Sequence, residues 1–261
     1  LYLAGNTGEW YGLDDEVRVD LFHVATGAAR SRGAGATMIA HVGGVATRRA
    51  VTMAEAAAEA GCDAVSAMIP PAGRYSFREI TRYYRTLAGA SPLPLLVYHI
   101  PLLTGQERSH GELGELLDLP NVVGMKYTSL DLFTLERVAA AHRDKVVLMG
   151  ADQALMFGLL AGAVGAIGTT YNLMGPVAVM IHRAVERGDL ETARRGQAVL
   201  NEFVDALRRG GGLRGFKALA ADRLGWACSR SPEPGITPDP ETYRPMAEVL
   251  DRALAWAAER S

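Results

Sequence analysis

The sequence predicts an α/β protein, a TIM (β/α)8 barrel followed by a C-terminal helical region. Short runs rich in Val, Ile and Leu recur along the 261 residues. The runs are continuous rather than alternating, as is typical of strands buried on both faces of a parallel sheet. Helix-period segments separate them without a shift in composition, which indicates one domain. No segment carries, in the right context, the GxGxxG turn of an open dinucleotide-binding sheet, so the closed barrel is favoured.

Seven runs are candidate strands. They comprise residues 1–4, 37–42, 64–69, 95–100, 122–126, 146–149 and 165–168. A closed barrel of this class needs eight strands, and Leu1 already lies inside the first run. We therefore expect the first βα unit to be missing from these 261 residues; the sequence leaves open whether the protein lacks it or only this stretch does.

Helix patterns lie between candidate strands from residue 51 onward and continue after the last strand. They comprise residues 51–60, 77–87, 110–117, 132–142 and 154–161, followed by residues 178–187, 190–209, 213–224 and 240–259. Gly61 and Gly162 stand where two of these helices would end. We expect residues 1–177 to form the barrel without its first strand. Residues 178–261 would then supply closing and C-terminal helices of the same domain.

The charge balance argues against a nucleic-acid partner. Lys and Arg total 27 against 29 Asp and Glu, a formal net charge of −2. This balance leaves no surplus of cations to neutralise a phosphate backbone. Arginine pairs such as Arg48-Arg49 lie in mixed-charge helical stretches, which are typical of a solvated face.

One uncharged stretch, residues 154–181, is long enough to span a membrane. Five glycines, Pro176 and the polar run 169–172 interrupt it, which favours a buried helix, a strand and a helix start. Cys62 and Cys228 form neither a CxxC pair nor a disulfide framework. We therefore expect no membrane partner and a cytoplasmic location.

Polar residues that end apolar strands are the candidates for chemistry, because such a barrel carries its reactive groups at the carboxyl ends of its strands. Lys126 follows the apolar run 122–125. Desolvation there would disfavour the ammonium form and favour a nucleophilic amine, so Lys126 is a candidate for imine formation. A lysine paired with a carboxylate such as Asp152 is an equally favoured alternative.

Tyr98 and the loop 5–9 are the next candidates. Tyr98 ends the run 95–97, and its phenol can carry a proton during imine chemistry; a core tyrosine with a satisfied hydroxyl is the alternative. The loop GNTGE at 5–9 offers N–H groups and a hydroxyl to an anion such as a carboxylate. Its alternative is a plain strand-to-helix turn with Thr7 as the cap.

We expect neither a metal site nor a cofactor. The six histidines show no HxxH, HxxxH or HExxH spacing, and no acidic cluster completes a ligand set. A Gly-x-Ser-x-Gly elbow is also absent from the sequence, which leaves a serine hydrolase unsupported.

Five motifs in order point to a known family. They are GNTGE at 5–9, YHIPLLTG at 98–105, GMKYTS at 124–129, GADQ at 150–153 and GAIGTTYNLMG at 165–175. In this order they resemble the pyruvate-dependent class I aldolases, the family that contains N-acetylneuraminate lyase and dihydrodipicolinate synthase. The resemblance covers nearly the whole chain, and that family has one more strand and helix before its GxTGE loop.

The resemblance implies roles for particular residues. Lys126 would form the Schiff base with the keto carbon of pyruvate or another 2-keto acid, and Tyr98 would act as the acid/base. Asn6 and Thr7 would hold the carboxylate, and Thr128 lies where the family has a hydroxyl beside the lysine. The positions that contact the sugar tail in sialic acid lyases correspond to Gly150, Asp152, Gln153 and Thr169.

Four departures from the family pattern bear on the substrate. Leu103 stands where dihydrodipicolinate synthases usually have an arginine that grips a second carboxylate. A leucine there argues against aspartate semialdehyde and is similar to the sialic acid lyases. The family's paired tyrosines would fall at 71–73, but the next tyrosine along the chain from there is Tyr75. Asn6 replaces a Ser or Thr and Gln153 replaces a Glu, changes that alter the carboxylate pocket and the sugar contacts.

The sequence and the resemblance together predict a carbon–carbon lyase. It would cleave or condense pyruvate with an aldehyde, on a 2-keto-3-deoxy sugar acid or a sialic-acid-like substrate. The imine acts as the electron sink, so this chemistry needs no metal or added cofactor. The alternatives are a dihydrodipicolinate synthase, a 2-keto-3-deoxy sugar acid dehydratase and a non-catalytic sugar-acid-binding protein. The resemblance alone implies a homotetramer.

Overall fold

The computed structural model describes residues 1–33, 35–225 and 238–260 of the chain. A strand lies in each of the seven predicted runs, so the predicted strand positions are confirmed. The strands are β1 (Tyr2–Leu3), β2 (Ile39–His41), β3 (Ala64–Ala67), β4 (Leu95–His99), β5 (Val122–Tyr127), β6 (Val146–Met149) and β7 (Gly165–Ala166).

Helices alternate with the strands and continue after β7, and each predicted helix is present. They are α1 (Asp15–Ser31), α2 (Thr47–Glu59), α3 (Phe77–Ala90), α4 (Pro101–Thr104), α5 (His110–Leu117), α6 (Leu132–Ala141), α7 (Leu155–Leu160), α8 (Tyr171–Glu186), α9 (Leu190–Arg209), α10 (Gly212–Leu224) and α11 (Pro240–Ala258).

Local sequence explains where several helices begin and end. Ser76 and Glu79 form a capping box at the start of α3, in which each side chain accepts a hydrogen bond from the other residue's backbone N–H. Gly61 follows α2 with a φ of 79°, and Gly162 follows α7 with a φ of 101°. Glycine adopts this left-handed conformation at little cost, so both helices end where the sequence predicts.

Residues 1–148 together with 161–164 form a first compact unit. Within it β1 to β5 pair in chain order, and all pairs are parallel. Tyr84 on α3 is buried and donates a hydrogen bond to the carbonyl of Ala67, at 3.0 Å. This bond satisfies a buried hydroxyl and ties the helix to the end of β3.

A bulge in β5 sets the register around the candidate lysine. The pairing of β4 with β5 skips Val123. Gly124 comes next, and a Cβ there would meet the carbonyl oxygen of Val146 at 2.1 Å. Beyond the bulge the register continues with Tyr98 opposite Lys126. The bulge therefore decides which β5 residue stands beside Tyr98.

Residues 149–160 and 165–261 form a second compact unit. Its core is a cluster of apolar side chains from α7 to α11. Phe203 of α9 is fully buried and packs edge-to-face on Phe216 of α10, with ring centroids 6.3 Å apart. Burial of such apolar area is the main favourable term in folding this unit.

No helix among the described residues is long and apolar enough to cross a membrane. The uncharged stretch 154–181 instead contains α7, β7 and the first part of α8, as predicted. Cys62 is buried, which raises the pKa of its thiol to about 11. Cys228 lies outside the described residues. The division into 1–177 and 178–261 within one domain stays a prediction.

Candidate active site

Lys126 and Tyr98 meet because they are register partners on adjacent parallel strands. Residues paired in this way project to the same side of a sheet. Lys126 is only 7% exposed, and its Nζ lies 4.1 Å from the centroid of the Tyr98 ring. The residues assigned to imine formation and to proton transfer are thus in contact.

Tyr2 on β1 is a second aromatic neighbour of the lysine. Its ring centroid lies 4.5 Å from Lys126 Nζ. The Tyr2 hydroxyl donates a hydrogen bond to Ser66 Oγ on β3, at 3.0 Å. The sequence did not single out Tyr2 or Ser66, because both lie inside apolar runs rather than at their ends.

His41, at the end of β2, lies next to the rings of Tyr2 and Tyr98 and is fully buried. Its ring meets the Tyr98 ring edge-on, with centroids 5.9 Å apart. Burial above all, and then the cations of Arg18 and Lys126, hold the pKa of His41 well below its usual 6.5. Arg18 donates hydrogen bonds to the carbonyls of His41, at 2.7 Å, and Gly43, at 3.1 Å. A neutral imidazole therefore packs against the ring of Tyr98.

The loop 5–9 follows β1 and brings Asn6 and Thr7 to the carboxyl end of that strand. Both residues are partly exposed. Helix α1 begins only at Asp15, with Asp14 at its N-cap position. The alternative in which Thr7 caps the following helix is therefore wrong. That Asn6 and Thr7 bind a carboxylate stays a prediction.

Thr128 lies just beyond β5, two residues after the lysine. Its backbone N–H donates to the carbonyl of His99 at 2.8 Å, which continues the pairing of β4 with β5. Its hydroxyl is buried and makes no hydrogen bond to any residue that the structure describes. A buried hydroxyl of this kind is available to a ligand.

The remaining predicted residues, Gly150, Asp152, Gln153 and Thr169, belong to the second unit. Asp152 is 8% exposed, and its Oδ2 accepts a hydrogen bond from the backbone N–H of Thr170 at 2.7 Å. A Cβ on Gly168 would lie 2.0 Å from Asp152 Oδ1. The unit thus brings Asp152 against the segment that carries Thr169.

A buried glutamine anchors the segment around Asp152. Gln197 on α9 is 3% exposed. Its amide donates to the carbonyl of Asp152 at 3.2 Å and accepts from the N–H of Met156 at 2.8 Å. Tyr171 also lies near Asp152. Burial, and then the charge of Asp152, raise the pKa of the Tyr171 hydroxyl well above its usual value, so Tyr171 stays a neutral phenol. The sequence patterns did not identify Gln197, which lies in the middle of an amphipathic helix.

Contacts to Gln106 and Arg108 hold the segment 71–75, where the resemblance would have the paired tyrosines. The backbone N–H of Tyr75 donates to Gln106 Oε1 at 2.9 Å, and Arg108 donates to the Tyr75 carbonyl at 3.0 Å. A Cβ on Gly73 would lie 2.6 Å from the Tyr75 hydroxyl. Tyr75 therefore folds back over its own loop.

Comparison with known proteins identifies relatives over nearly the whole chain. Residues 1–252 match the model of the Dihydrodipicolinate synthetase family. The chain is 37% identical over 261 residues to the N-acetylneuraminate lyase of Rhizobium meliloti (strain 1021), covering 100% of this chain and 86% of that relative.

Two solved structures are similar throughout. CdNal from Clostridium difficile, in complex with mannosamine, has a TM-score of 0.91 at 28% identity and covers 97% of this chain and 86% of that one. N-acetylneuraminate lyase from Fusobacterium nucleatum, complexed with pyruvate, has a TM-score of 0.86 at 28% identity and covers 97% and 84%.

These comparisons confirm the predicted resemblance, the TIM (β/α)8 fold class with its C-terminal helices and the enzyme class, a carbon–carbon lyase. The structure brings Lys126 and Tyr98 together in the first unit and Asp152 and the segment of Thr169 together in the second. The chemical role of each residue stays a prediction.

Proposed function

Because this chain belongs to the dihydrodipicolinate synthetase family, we propose that it is a class I aldolase that cleaves a sialic-acid-like 2-keto acid. The products would be pyruvate and a sugar aldehyde, and the reverse reaction would condense them. The observation that carries this proposal is the buried Lys126, whose Nζ lies 4.1 Å from the ring of Tyr98. A relative crystallised with pyruvate and another with mannosamine support the two halves of the substrate.

In the proposed reaction, the free amine of Lys126 attacks the C2 carbonyl carbon of the 2-keto acid. Protonation of the resulting hydroxyl expels water and leaves a protonated imine. The C4 hydroxyl then loses its proton, the C3–C4 bond breaks, and the aldehyde leaves. The electron pair of that bond forms an enamine. Protonation of the enamine at C3 and hydrolysis of the imine release pyruvate and restore the lysine.

Tyr98 is the proposed proton carrier in these steps, because its ring lies against the amine that becomes the imine. General acid–base catalysis of this kind contributes about 10²–10⁴-fold to the rate. Tyr98→Phe keeps the aromatic face and removes only the hydroxyl. We expect this variant to lose turnover in that range.

Substrate binding would be shared among the other predicted residues. Asn6 and Thr7 would hold the carboxylate of pyruvate, and the buried hydroxyl of Thr128 would bind beside the imine. The family resemblance implies that the sugar tail contacts Gly150, Asp152, Gln153 and Thr169. Leu103 is apolar and 40% exposed, so its position offers no charge to a second carboxylate. The leucine favours a sugar aldehyde over aspartate semialdehyde.

The imine is tested by mass spectrometry after incubation of the protein with pyruvate and borohydride. The chain has three lysines, Lys126, Lys145 and Lys217, so the labelled peptide is unambiguous. We expect one reduced pyruvyl adduct on Lys126, none on the other two lysines, and none on Lys126→Ala. A folded wild-type protein that stays unlabelled would contradict the aldolase and favour the binding protein.

Product analysis then separates the enzymatic alternatives. We expect pyruvate and an N-acylated mannosamine from a sialic acid. A dehydrated keto acid from a 2-keto-3-deoxy sugar acid, without free pyruvate, would instead identify a dehydratase. Condensation with aspartate semialdehyde would identify a dihydrodipicolinate synthase.

The assembly and the compartment are also proposals. We propose a homotetramer, as the family resemblance implies, and a cytoplasmic location, as the cysteine usage predicts. Leu102 is 90% exposed and Val45 is 57% exposed in the single chain, which is consistent with apolar side chains that a second copy covers. Light scattering on the purified protein tests this proposal, and a monomer at assay concentration would contradict it.

A further inference from the structure

The amino group of Lys126 lies in a corner formed by two aromatic rings. Its Nζ is 4.5 Å from the ring centroid of Tyr2 and 4.1 Å from that of Tyr98. The two ring centroids are 6.0 Å apart, and the ring planes are inclined at 82°. Both distances are within the range of a cation–π contact, so each ring presents its electron-rich face to the lysine.

Tyr2 is held in this corner from two sides. Its hydroxyl donates to Ser66 Oγ on β3, at 3.0 Å. A Cβ on Gly5 would come within 2.6 Å of Tyr2 Cε1, so the loop 5–9 lies directly on the edge of the ring. Gly5 immediately precedes Asn6 and Thr7. Tyr2 therefore connects the loop that we expect to bind the carboxylate with the lysine that we expect to form the imine.

We propose that Tyr2 is a positioning residue for Lys126, and that its ring face, together with that of Tyr98, holds the lysine amino group at the carboxyl end of β5. The importance of this clamp for the reaction rests on the proposed function of Lys126. The clamp has two effects. It restricts a long, flexible side chain, and it stabilises the ammonium form against the cost of burial.

Titratable groups near Lys126 on the strands of the first unit include Tyr2 on β1, His41 on β2 and Tyr98 on β4. Burial first, and then Tyr98, raise the pKa of Tyr2 well above 10, so Tyr2 is a neutral phenol at working pH. His41 is neutral because burial lowers its pKa. Replacing Tyr2 therefore removes a ring face and changes no formal charge.

The test measures the reactivity of each lysine separately from pyruvate binding. Wild type and variants are labelled with formaldehyde and cyanoborohydride between pH 6 and 10, and peptide mass spectrometry gives the pH of half-maximal labelling at each lysine. Lys145 and Lys217 serve as internal references. A parallel series uses pyruvate in place of formaldehyde.

We expect Tyr2→Leu to lower the pH midpoint of Lys126 by about 0.4 to 1.5 pH units, which corresponds to the loss of one cation–π contact. The midpoints of Lys145 and Lys217 stay unchanged. Tyr2→Phe keeps the ring, and Ser66→Ala removes only the hydrogen bond, so both should leave the Lys126 midpoint within about 0.3 units of wild type. Circular dichroism checks folding, and Tyr2→Met replaces the leucine variant if that variant does not fold.

An unchanged Lys126 midpoint in a folded Tyr2→Leu or Tyr2→Met would overturn the clamp. An equal shift in Tyr2→Phe would also overturn it, because the hydroxyl rather than the ring would then be responsible. Failure of the proposed function has a different signature. In that case formaldehyde labels Lys126 with the expected midpoint shift, but pyruvate labels Lys126 in no variant and not in wild type.

Discussion

Two buried polar side chains, Lys126 in the first unit and Asp152 in the second, are held in different ways. They are about equally buried, at 7% and 8% exposure. Aromatic faces of Tyr2 and Tyr98 lie against the lysine amino group. The Asp152 carboxylate instead accepts a hydrogen bond from the backbone N–H of Thr170 at 2.7 Å.

The two kinds of contact restrict a side chain differently. A hydrogen bond from a backbone N–H is directional, and breaking it inside the protein is costly. A ring face attracts a cation without imposing one bond direction. In the proposed reaction the lysine would exchange its ring contacts for a covalent bond to substrate. The hydrogen bond from the Thr170 N–H instead fixes one oxygen of the Asp152 carboxylate.

The two units also differ in their titratable groups. Five of the six histidines, His23, His41, His99, His110 and His142, lie in the first unit, and only His182 lies in the second. His41 and His99 are buried. The second unit has a continuous apolar core of packed helices. We therefore expect acid to act mainly on the first unit.

A substitution at the bulge in β5 should destabilise the first unit more than any other change considered below. In Gly124→Ala the new Cβ would meet the Val146 carbonyl oxygen at 2.1 Å, so the backbone must shift. We expect the free energy of unfolding to fall by about 3 kcal/mol, as in severe overpacking. Urea denaturation measures this loss. An unchanged midpoint would show that β5 and Val146 separate easily.

The second prediction concerns low pH. Acid should destabilise the protein mainly through buried histidines of the first unit. Burial above all, and then Arg108, lower the pKa of His99 to about 4. Between pH 6.5 and 4, His99 is protonated in the unfolded chain but neutral in the folded protein. The free energy of unfolding therefore falls as the pH falls through this interval. For His99 alone the fall amounts to about 3 kcal/mol.

The depressed pKa of His41 acts in the same direction. Urea denaturation at pH 7 and pH 5 measures the effect, with His99→Gln as the test variant. We expect the variant to lose less stability than wild type over this interval. Equal losses would mean that His99 is protonated in the folded protein.

The third prediction concerns the hydrogen bond that Asp152 accepts from the Thr170 N–H. Asp152→Ala leaves the Thr170 N–H buried without its acceptor, so we expect a loss of about 2 kcal/mol in unfolding free energy. Asp152→Asn keeps an acceptor oxygen and should lose less. A loss for Asp152→Asn as large as that for Asp152→Ala would contradict the role of this acceptor oxygen.

Gly27→Ala should change the free energy of unfolding only slightly, and it serves as a reference for the other substitutions. Gly27 lies inside α1, and no atom lies within 4 Å of the Cβ that alanine would add. Gly27→Ala should raise the free energy of unfolding by about 0.5–1 kcal/mol, because alanine is the better helix former. Thermal unfolding measures the gain. A loss of stability would indicate that α1 contacts a partner at this position.

Sequence patterns predicted the seven strands and every helix except α1 and α4. They also singled out Lys126 and Tyr98. Lys126 and Tyr98 were recognisable because each is a polar residue at the end of an apolar run. Tyr2 and Ser66 were missed, because a tyrosine early in a short apolar run and a serine in the middle of one resemble ordinary strand residues. Their meeting depends on which strands lie side by side, and no single segment encodes that arrangement.

Local sequence is enough to predict the order of strands and helices, the helix ends at Gly61 and Gly162 and the order of the family motifs. These features depend on neighbouring residues, whose hydrophobic period, capping and φ preferences act locally. The bulge at Val123, the pairing of Tyr98 with Lys126 and the two rings around the Lys126 amino group became visible in the three-dimensional structure. Those depend on contacts between residues far apart in the chain, where packing rather than local preference selects the register.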